Sequence, residues 1–103
     1  MLIDATNVRL EELRRLQAQA SGVELDDDQA FVGLVVACRM VLELTDQQFA
    51  DGIGVSRPTV NRWSRGANLP HRLMRGPIAQ WIEDRVEDHI RARSRSPSYR
   101  AIA

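Results

Sequence analysis

The chain has 103 residues, of which 44% are hydrophobic and 27% charged, and this composition fits one domain with a modest core rather than a disordered chain. Acids and bases balance to a net charge of zero. No apolar run approaches the ~18 residues of a membrane span. The first residues, MLIDATNVRLEEL, lack the basic segment and the apolar segment of a signal peptide. Cys38 is the only cysteine, which excludes an internal disulfide. We therefore expect a cytoplasmic protein without membrane attachment, in which Cys38 is a buried structural thiol.

The first half of the chain predicts two helices. Residues 6–20 carry leucines between charged residues, and Gly22 ends this helix. A second helix begins at the aspartates of residues 26–28 and runs to about Glu43. Because the aspartates precede an apolar helix, we interpret them as caps and partners of the helix dipole rather than as metal ligands. This helix has one broad apolar face (Phe31, Leu34, Val35, Cys38, Val41, Leu42) and another apolar side (Val32, Val36, Met40). The second side needs either the 6–20 helix or a second subunit to cover it.

Residues 44–66, LTDQQFADGIGVSRPTVNRWSRG, predict two short helices that meet at a tight bend. Thr45 and Gln48 have the spacing of a capping box at the start of the first helix. Gly54 suits the positive φ that reverses the chain at its end. Ser56 can cap the second helix, residues 57–64, by accepting from the Thr59 N–H. The inward residues are Phe49, Ala50, Ile53, Val60 and Trp63, with Pro58 in the first turn of the second helix and Gly66 at its end.

This segment resembles the helix-turn-helix of the Cro and lambda-repressor type, the XRE family. The matching residues are Ala50, Gly54, Val60 and Trp63, the turn Gly54-Val55-Ser56 and the ending Arg62-Trp63…Gly66. The close match covers residues 44–66, and the wider one roughly residues 31–85. The resemblance implies a bacterial or phage transcriptional regulator that binds double-stranded DNA sequence-specifically. Such a protein is commonly a repressor of its own promoter, and it would act in the cytoplasm at the nucleoid as a homodimer on an inverted repeat.

Charge is distributed unevenly along the chain. Residues 1–45 hold eight acids and four arginines, whereas residues 46–103 hold six acids and ten arginines. Residues 56–75 contain five arginines and no acid (Arg57, Arg62, Arg65, Arg72, Arg75). We therefore predict a basic face around residues 44–66 that can bind phosphates.

The predicted DNA contacts divide into two groups. Base reading is assigned to Arg57, Pro58, Asn61 and Arg62, in which the arginines favour guanine and Asn61 is a candidate for adenine. Pro58 can offer only van der Waals contact, for example to a thymine methyl. Phosphate binding is assigned to Gln47, Gln48, Ser56, Thr59, Arg65, Asn68 and Arg72.

Two residues depart from the family pattern. Gly52 lies inside the first helix of the pair, so that helix is either short and frayed or approached closely by another element. Asp46 stands where relatives often place a residue that contacts a phosphate. Because its carboxylate would repel the DNA backbone, Gln47 or main-chain N–H groups would have to replace that contact.

The last third predicts a loop after Gly66 and then a helix from Pro77 to about Arg93. Its apolar stripe, Ile78, Ile82, Val86 and Ile90, either caps the core or forms a dimer surface. Residues 94–103 form a basic arm that could contact phosphates or remain solvated.

Together these patterns predict an all-α protein, a compact lambda-repressor-like bundle of about five helices. Residues 1–93 form one DNA-binding domain, with an extra N-terminal helix at 6–20, a core at 26–93 and a long C-terminal helix. No catalytic constellation, metal site or cofactor motif is recognised, so we do not expect an enzyme. Two alternatives remain open. One is an antitoxin or regulator held by a protein partner through its N-terminal helices, and the other is a structural or phage protein that keeps the fold without binding DNA.

Overall fold

The computed structural model describes residues 5–94, and it describes side chains from residue 7 to residue 93. In this range the protein has five helices: α1 (Ala5–Gly22), α2 (Asp28–Val41), α3 (Asp46–Ile53), α4 (Arg57–Ser64) and α5 (Arg72–Ser94). The predicted all-α architecture is confirmed, including the N-terminal helix and the long C-terminal helix. The predicted basic arm lies outside the described residues, apart from the backbone of Ser94.

A single hydrophobic core takes residues from all five helices. α1 packs mainly on α5 and also on α2, while α3 packs on α4. α2 contacts both α4 and α5, so it joins the pair α3–α4 to the pair α1–α5. The fully buried side chains of the core include Leu13, Phe31, Leu34, Val35, Cys38, Phe49, Val60, Ile82 and Val86. Because every helix contributes to this one core, the position of α4 depends on the packing of the whole domain.

The apolar stripe of α5 belongs to this core. Ile82 and Val86 are fully buried and Ile78 is 5% exposed. Of the two alternatives left open for this stripe, the structure supports a place in the core for Ile78, Ile82 and Val86, while Ile90 is half-buried. On α2, the broad apolar face is buried except for the half-buried Val41, whereas Met40 on the other side is 73% exposed.

The pair α3–α4 forms through the predicted caps. The Thr45 hydroxyl accepts from the Gln48 N–H, and the Gln48 side chain accepts from the Thr45 N–H, which completes the capping box. Gly54 ends α3 with φ of 78°, in the left-handed region that favours glycine. Ser56 Oγ accepts from the Thr59 N–H at 3.3 Å and so caps α4. Local sequence therefore fixes both ends of the bend between the two helices.

Gly52 allows α3 to approach α5 closely. A Cβ atom at this position would lie 2.2 Å from Cζ2 of Trp81. The Trp81 ring also meets the edge of Phe49, with ring centroids 5.4 Å apart. Helix α3 continues through Gly52 to Ile53, so the glycine marks a tight contact rather than a frayed helix.

The predicted start of the last helix at Pro77 is wrong, because α5 already begins at Arg72. His71 Nδ1 accepts from the Leu73 N–H at 3.2 Å and supports the first turn. Pro77 lacks the N–H that would bond to the Leu73 carbonyl. Leu73 is 81% exposed, so water can reach this part of the helix. The proline is tolerated there, inside the helix and not at its start.

The three aspartates before α2 have different partners. Asp27 is the N-cap, and its side chain accepts from the Ala30 N–H at 3.1 Å. Oδ1 of Asp26 lies 2.6 Å from Nε of Arg72, and Oδ1 of Asp28 lies 2.9 Å from Nη1 of Arg75. Only one carboxylate therefore caps α2, while the other two attach the beginning of α5 to α2.

Cys38 is completely buried, as expected. Burial raises the pKa of its thiol to about 12, against a small opposing effect of the Arg39 charge. The thiol is therefore protonated at neutral pH and serves as an apolar core group. Among the described helices, none is long and apolar enough to cross a membrane.

Candidate nucleic-acid interface

Helix α4 has one buried and one basic side. Val60 and Trp63 are 0% and 2% exposed and hold the helix against the core. Arg57, Arg62 and Arg65 are all exposed. Arg57 and Arg65 lie eight residues apart on one side of the helix, and Arg62 lies on a neighbouring stripe with Pro58. The buried residues therefore fix a helix that presents two guanidinium groups to solvent, and the C-cap residue Arg65 directly after it presents a third.

These three arginines have no acidic partner among the described residues, where the ion pairs instead involve Arg15, Arg39, Arg72, Arg75, Arg85 and Arg91. An arginine without an ion pair keeps all five N–H donors for an external acceptor. Its planar fork fits phosphate or guanine with two parallel hydrogen bonds. The surface of α4 can thus bind an anion or a base edge without first breaking an ion pair.

The carboxylate of Asp46 has partners within the protein and is mostly buried. Its Oδ1 lies 2.6 Å from Nη2 of Arg39, and its Oδ2 accepts from Nδ2 of Asn61 at 3.2 Å. The Asp46 side chain is only 16% exposed. Because Arg39 balances its charge, the repulsion of DNA expected from the sequence is weakened. Asn61, which was predicted to read a base, is half-buried and uses one of its amide N–H groups inside the protein.

The predicted phosphate-binding residues of α3 are exposed, and each already has a role within the helix. Nε2 of Gln47 donates to Asp51 at 2.7 Å. The carbonyl oxygen of Gln48 belongs to the capping box, which leaves its side-chain N–H groups for other acceptors. Both side chains lie in the first turn of α3, where the positive end of the helix dipole also favours anions.

The remaining predicted phosphate contacts lie around α4. The Ser56 and Thr59 hydroxyls share a hydrogen bond of 2.7 Å, and Ser56 is exposed while Thr59 is half-buried. Asn68 is exposed in the loop after α4, with φ of 49°. Ser56 and Asn68 thus lie before and after α4 in the chain, and both are open to solvent.

The predicted basic face over residues 56–75 does not include all five of its arginines. Arg75 is 6% exposed and donates to the carbonyl groups of Pro70 and Leu25. Its guanidinium also lies over the Phe31 ring, 5.4 Å from the centroid. Arg75 is therefore a buried structural residue, and its inclusion in the basic face was wrong. Arg72 is exposed, but it is paired with Asp26.

Sequence reasoning missed the role of Arg39. Its Nη1 donates to Ser64 Oγ at 2.9 Å, and its ion pair with Asp46 connects α2 with α3. The available signal was an arginine within an otherwise apolar helix. A charge in such a place needs a partner, although the sequence does not reveal which one.

Neither histidine suggests a metal or catalytic site. No cluster of three or more potential metal ligands occurs within residues 5–94. Partial burial, followed by the charges of Arg9 and Arg85, lowers the pKa of His89 below its usual value.

Comparisons with protein-family models, with characterised proteins and with solved structures gave no match to this chain.

Proposed function

We propose that the pair α3–α4 is a helix-turn-helix of the Cro and lambda-repressor type that binds double-stranded DNA. One observation carries the proposal: three exposed arginines without acidic partners among the described residues lie on α4 and at its C-cap, and the other side of α4 is anchored in the core. A helix with this distribution fits the major groove of B-DNA, which is wide enough to admit it.

In the proposed complex, α4 enters the major groove. Arg57 and Arg62 read base edges, and each can form two hydrogen bonds to O6 and N7 of guanine. Pro58, on the same stripe as Arg62, packs against a base edge, for which a thymine methyl is suitable. Asn61 contributes a further polar contact to a base. These contacts would provide the sequence preference.

Contacts to the DNA backbone would fix the register of α4. The first turn of α3, with Gln47 and Gln48, lies where main-chain N–H groups and the helix dipole favour a phosphate. Ser56, Thr59, Arg65, Asn68 and Arg72 are the other proposed phosphate contacts. Arg72 would have to share its guanidinium with Asp26 or exchange Asp26 for DNA.

We propose that the protein acts as a transcriptional regulator, as a homodimer on an inverted repeat. Two copies would place their α4 helices in half-sites about 34 Å apart, one turn of DNA. Repression of its own promoter is the proposed outcome of this binding. Light scattering of the free protein and of its DNA complex tests the dimer.

Selection from a library of random duplexes, followed by fluorescence anisotropy, tests the proposed function. We expect a recovered consensus sequence that binds more tightly than random DNA. Arg62→Ala should lower affinity for the consensus by about 1–3 kcal/mol and relax the preference at one position. Arg65→Ala should instead weaken consensus and random duplexes to a similar extent, because a phosphate contact carries little sequence information.

Arg14→Ala is the matched control. Arg14 is also exposed and has no acidic partner among the described residues, but it lies on α1, which packs on α5 and α2. This variant should bind like the original protein. If Arg14→Ala and Arg62→Ala weaken binding equally, or if no duplex is bound at low salt, α4 is not a DNA-reading helix.

A further inference from the structure

Three helices meet in a polar network beneath the proposed DNA surface. Arg39 of α2 is ion-paired with Asp46 at the start of α3, and it also donates to Ser64 near the end of α4. The side chains of Arg39 and Asp46 are 27% and 16% exposed. Nε of Arg39 and Oδ1 of Asp46 are buried without a hydrogen-bond partner among the described residues, although Oδ1 lies 2.6 Å from Nη2 of Arg39 in the ion pair. Since charged side chains are seldom this buried unless they are paired, the ion pair favours one arrangement of the two side chains.

Asp46 determines whether the NH2 group or the carbonyl oxygen of the Asn61 side chain faces it. An ionised carboxylate can only accept hydrogen bonds, so the group that faces Oδ2 of Asp46 must be the NH2 of Asn61. The carbonyl oxygen of the planar amide then points away from Asp46. None of the described residues donates to this oxygen, and it is not among the buried atoms without partners.

Asn61 lies within the basic surface of α4. It is four residues after Arg57 and four before Arg65, so the three side chains follow one side of the helix. The two arginines are exposed and Asn61 is half-buried between them. Its carbonyl oxygen therefore lacks a donor among the described residues and belongs to a half-buried residue that two exposed arginines flank along the chain.

We infer that Arg39 and Asp46 position Asn61 to present a hydrogen-bond acceptor to DNA, so that the base it faces must carry an amino group, as adenine and cytosine do. This inference rests on the proposed function. In the major groove, adenine N6 and cytosine N4 are donors, whereas guanine O6 and thymine O4 are acceptors. The fixed acceptor of Asn61 selects the first two bases and repels the others. Arg39 and Asp46 are positioning residues that need not touch the DNA.

Base substitution in the selected duplex tests this inference. Each position of the consensus is changed to all four base pairs, and affinity is measured by anisotropy. The original protein should prefer adenine or cytosine over guanine and thymine at one position by about tenfold. Asp46→Asn should reduce this preference to about threefold or less, because an asparagine at residue 46 can donate or accept and no longer fixes Asn61.

Asp51→Asn is the matched control, since it removes one negative charge from α3 without touching Asn61. Asp51 is exposed and accepts only from Gln47 among the described residues. This variant should retain the full preference for amino bases. If Asp46→Asn and Asp51→Asn lose the preference for amino bases equally, or if Asp46→Asn keeps it, Asp46 does not position Asn61.

Asn61→Ala provides a second variant if Asp46→Asn does not fold, as monitored by circular dichroism. Asn61→Ala should abolish the same preference while preferences at the other positions persist, and retention of the preference would refute the inference. If the original protein binds a consensus but prefers guanine or thymine opposite Asn61, this inference fails and DNA binding stands. If it binds no duplex, both fail.

Discussion

Two groups of arginines, close together in the chain, have opposite surroundings. On α4, Arg57, Arg62 and Arg65 are exposed and lack acidic partners among the described residues. At the beginning of α5, Arg72 is paired with Asp26, and the buried Arg75 is paired with the exposed Asp28 and donates to two carbonyl groups. The first group is open to solvent, whereas the second attaches α5 to the first residue of α2 and to the segment just before it.

This difference shows that a local run of basic residues does not define a basic surface. The acids that neutralise Arg72 and Arg75 lie more than forty residues earlier in the chain. Only the packing of α2 with α5 brings the two regions together. The electrostatic surface therefore depends on contacts between distant segments, which leave some arginines exposed and pair others within the fold.

The largest expected effect is the destabilisation of the protein by Arg75→Ala. The carbonyl groups of Pro70 and Leu25 would lose their donor, and each such loss costs roughly 1–3 kcal/mol. We expect the free energy of unfolding to fall by about 2–4 kcal/mol in urea denaturation. Arg57→Ala should change it by less than about 0.5 kcal/mol. Similar stability losses in the two variants would remove the distinction between the two groups of arginines.

Gly52→Ala tests how α5 supports the pair α3–α4. The added methyl group would overlap Trp81, and overpacking of this kind costs typically 1–3 kcal/mol. Gly33→Ala is the control, since Gly33 is exposed on α2 and the nearest atom to an added Cβ is 3.9 Å away. There the higher helix propensity of alanine should stabilise the protein by up to about 1 kcal/mol.

Thermal unfolding of both glycine variants should therefore show shifts of opposite sign. A stabilising effect of Gly52→Ala would mean that α3 does not approach Trp81 as closely as the structure shows.

Local chemistry made much of the fold predictable. The capping box of Thr45 and Gln48, the left-handed Gly54 and the burial of Val60 and Trp63 follow from spacing within a few residues, and the structure confirms them. Pro77 gave a wrong start for the last helix, because a helix can continue through a proline even though that residue has no N–H to donate. The first turn of α5 has a local hydrogen bond to His71, but the ion pairs of Arg72 and Arg75 with Asp26 and Asp28 come from a distant segment and left no local pattern.

The candidate site was predictable to a smaller extent. Spacing along α4 was enough to place Arg57 and Arg62 on its outer side, because Val60 and Trp63 determine its inner side. The partner of Asn61 was not predictable, since Asp46 lies fifteen residues away and is held by Arg39 from a third helix. Which arginines lack an ion pair likewise depends on tertiary contacts.

The smallest expected effect concerns Arg72. Its ion pair with Asp26 has both side chains 69% exposed, and such surface pairs contribute roughly 0–1 kcal/mol to stability. Asp26→Asn should leave stability nearly unchanged and release Arg72. If Arg72 contacts a phosphate, affinity for every duplex should rise slightly and fall again in the double variant Asp26→Asn/Arg72→Ala. Unchanged affinity would remove Arg72 from the proposed interface.

The salt dependence of duplex binding tests the central claim most directly. The logarithm of the binding constant should fall linearly with the logarithm of salt concentration, with a slope of about −0.9 per phosphate contact. Because Arg65 is assigned to a phosphate and Arg57 and Arg62 to base edges, the variant with all three replaced by alanine should lose about one phosphate contact, or about 0.9, from the slope and should also bind the consensus more weakly. A slope that stays the same in this variant, with affinity preserved, would contradict the account that α4 presents its arginines to DNA.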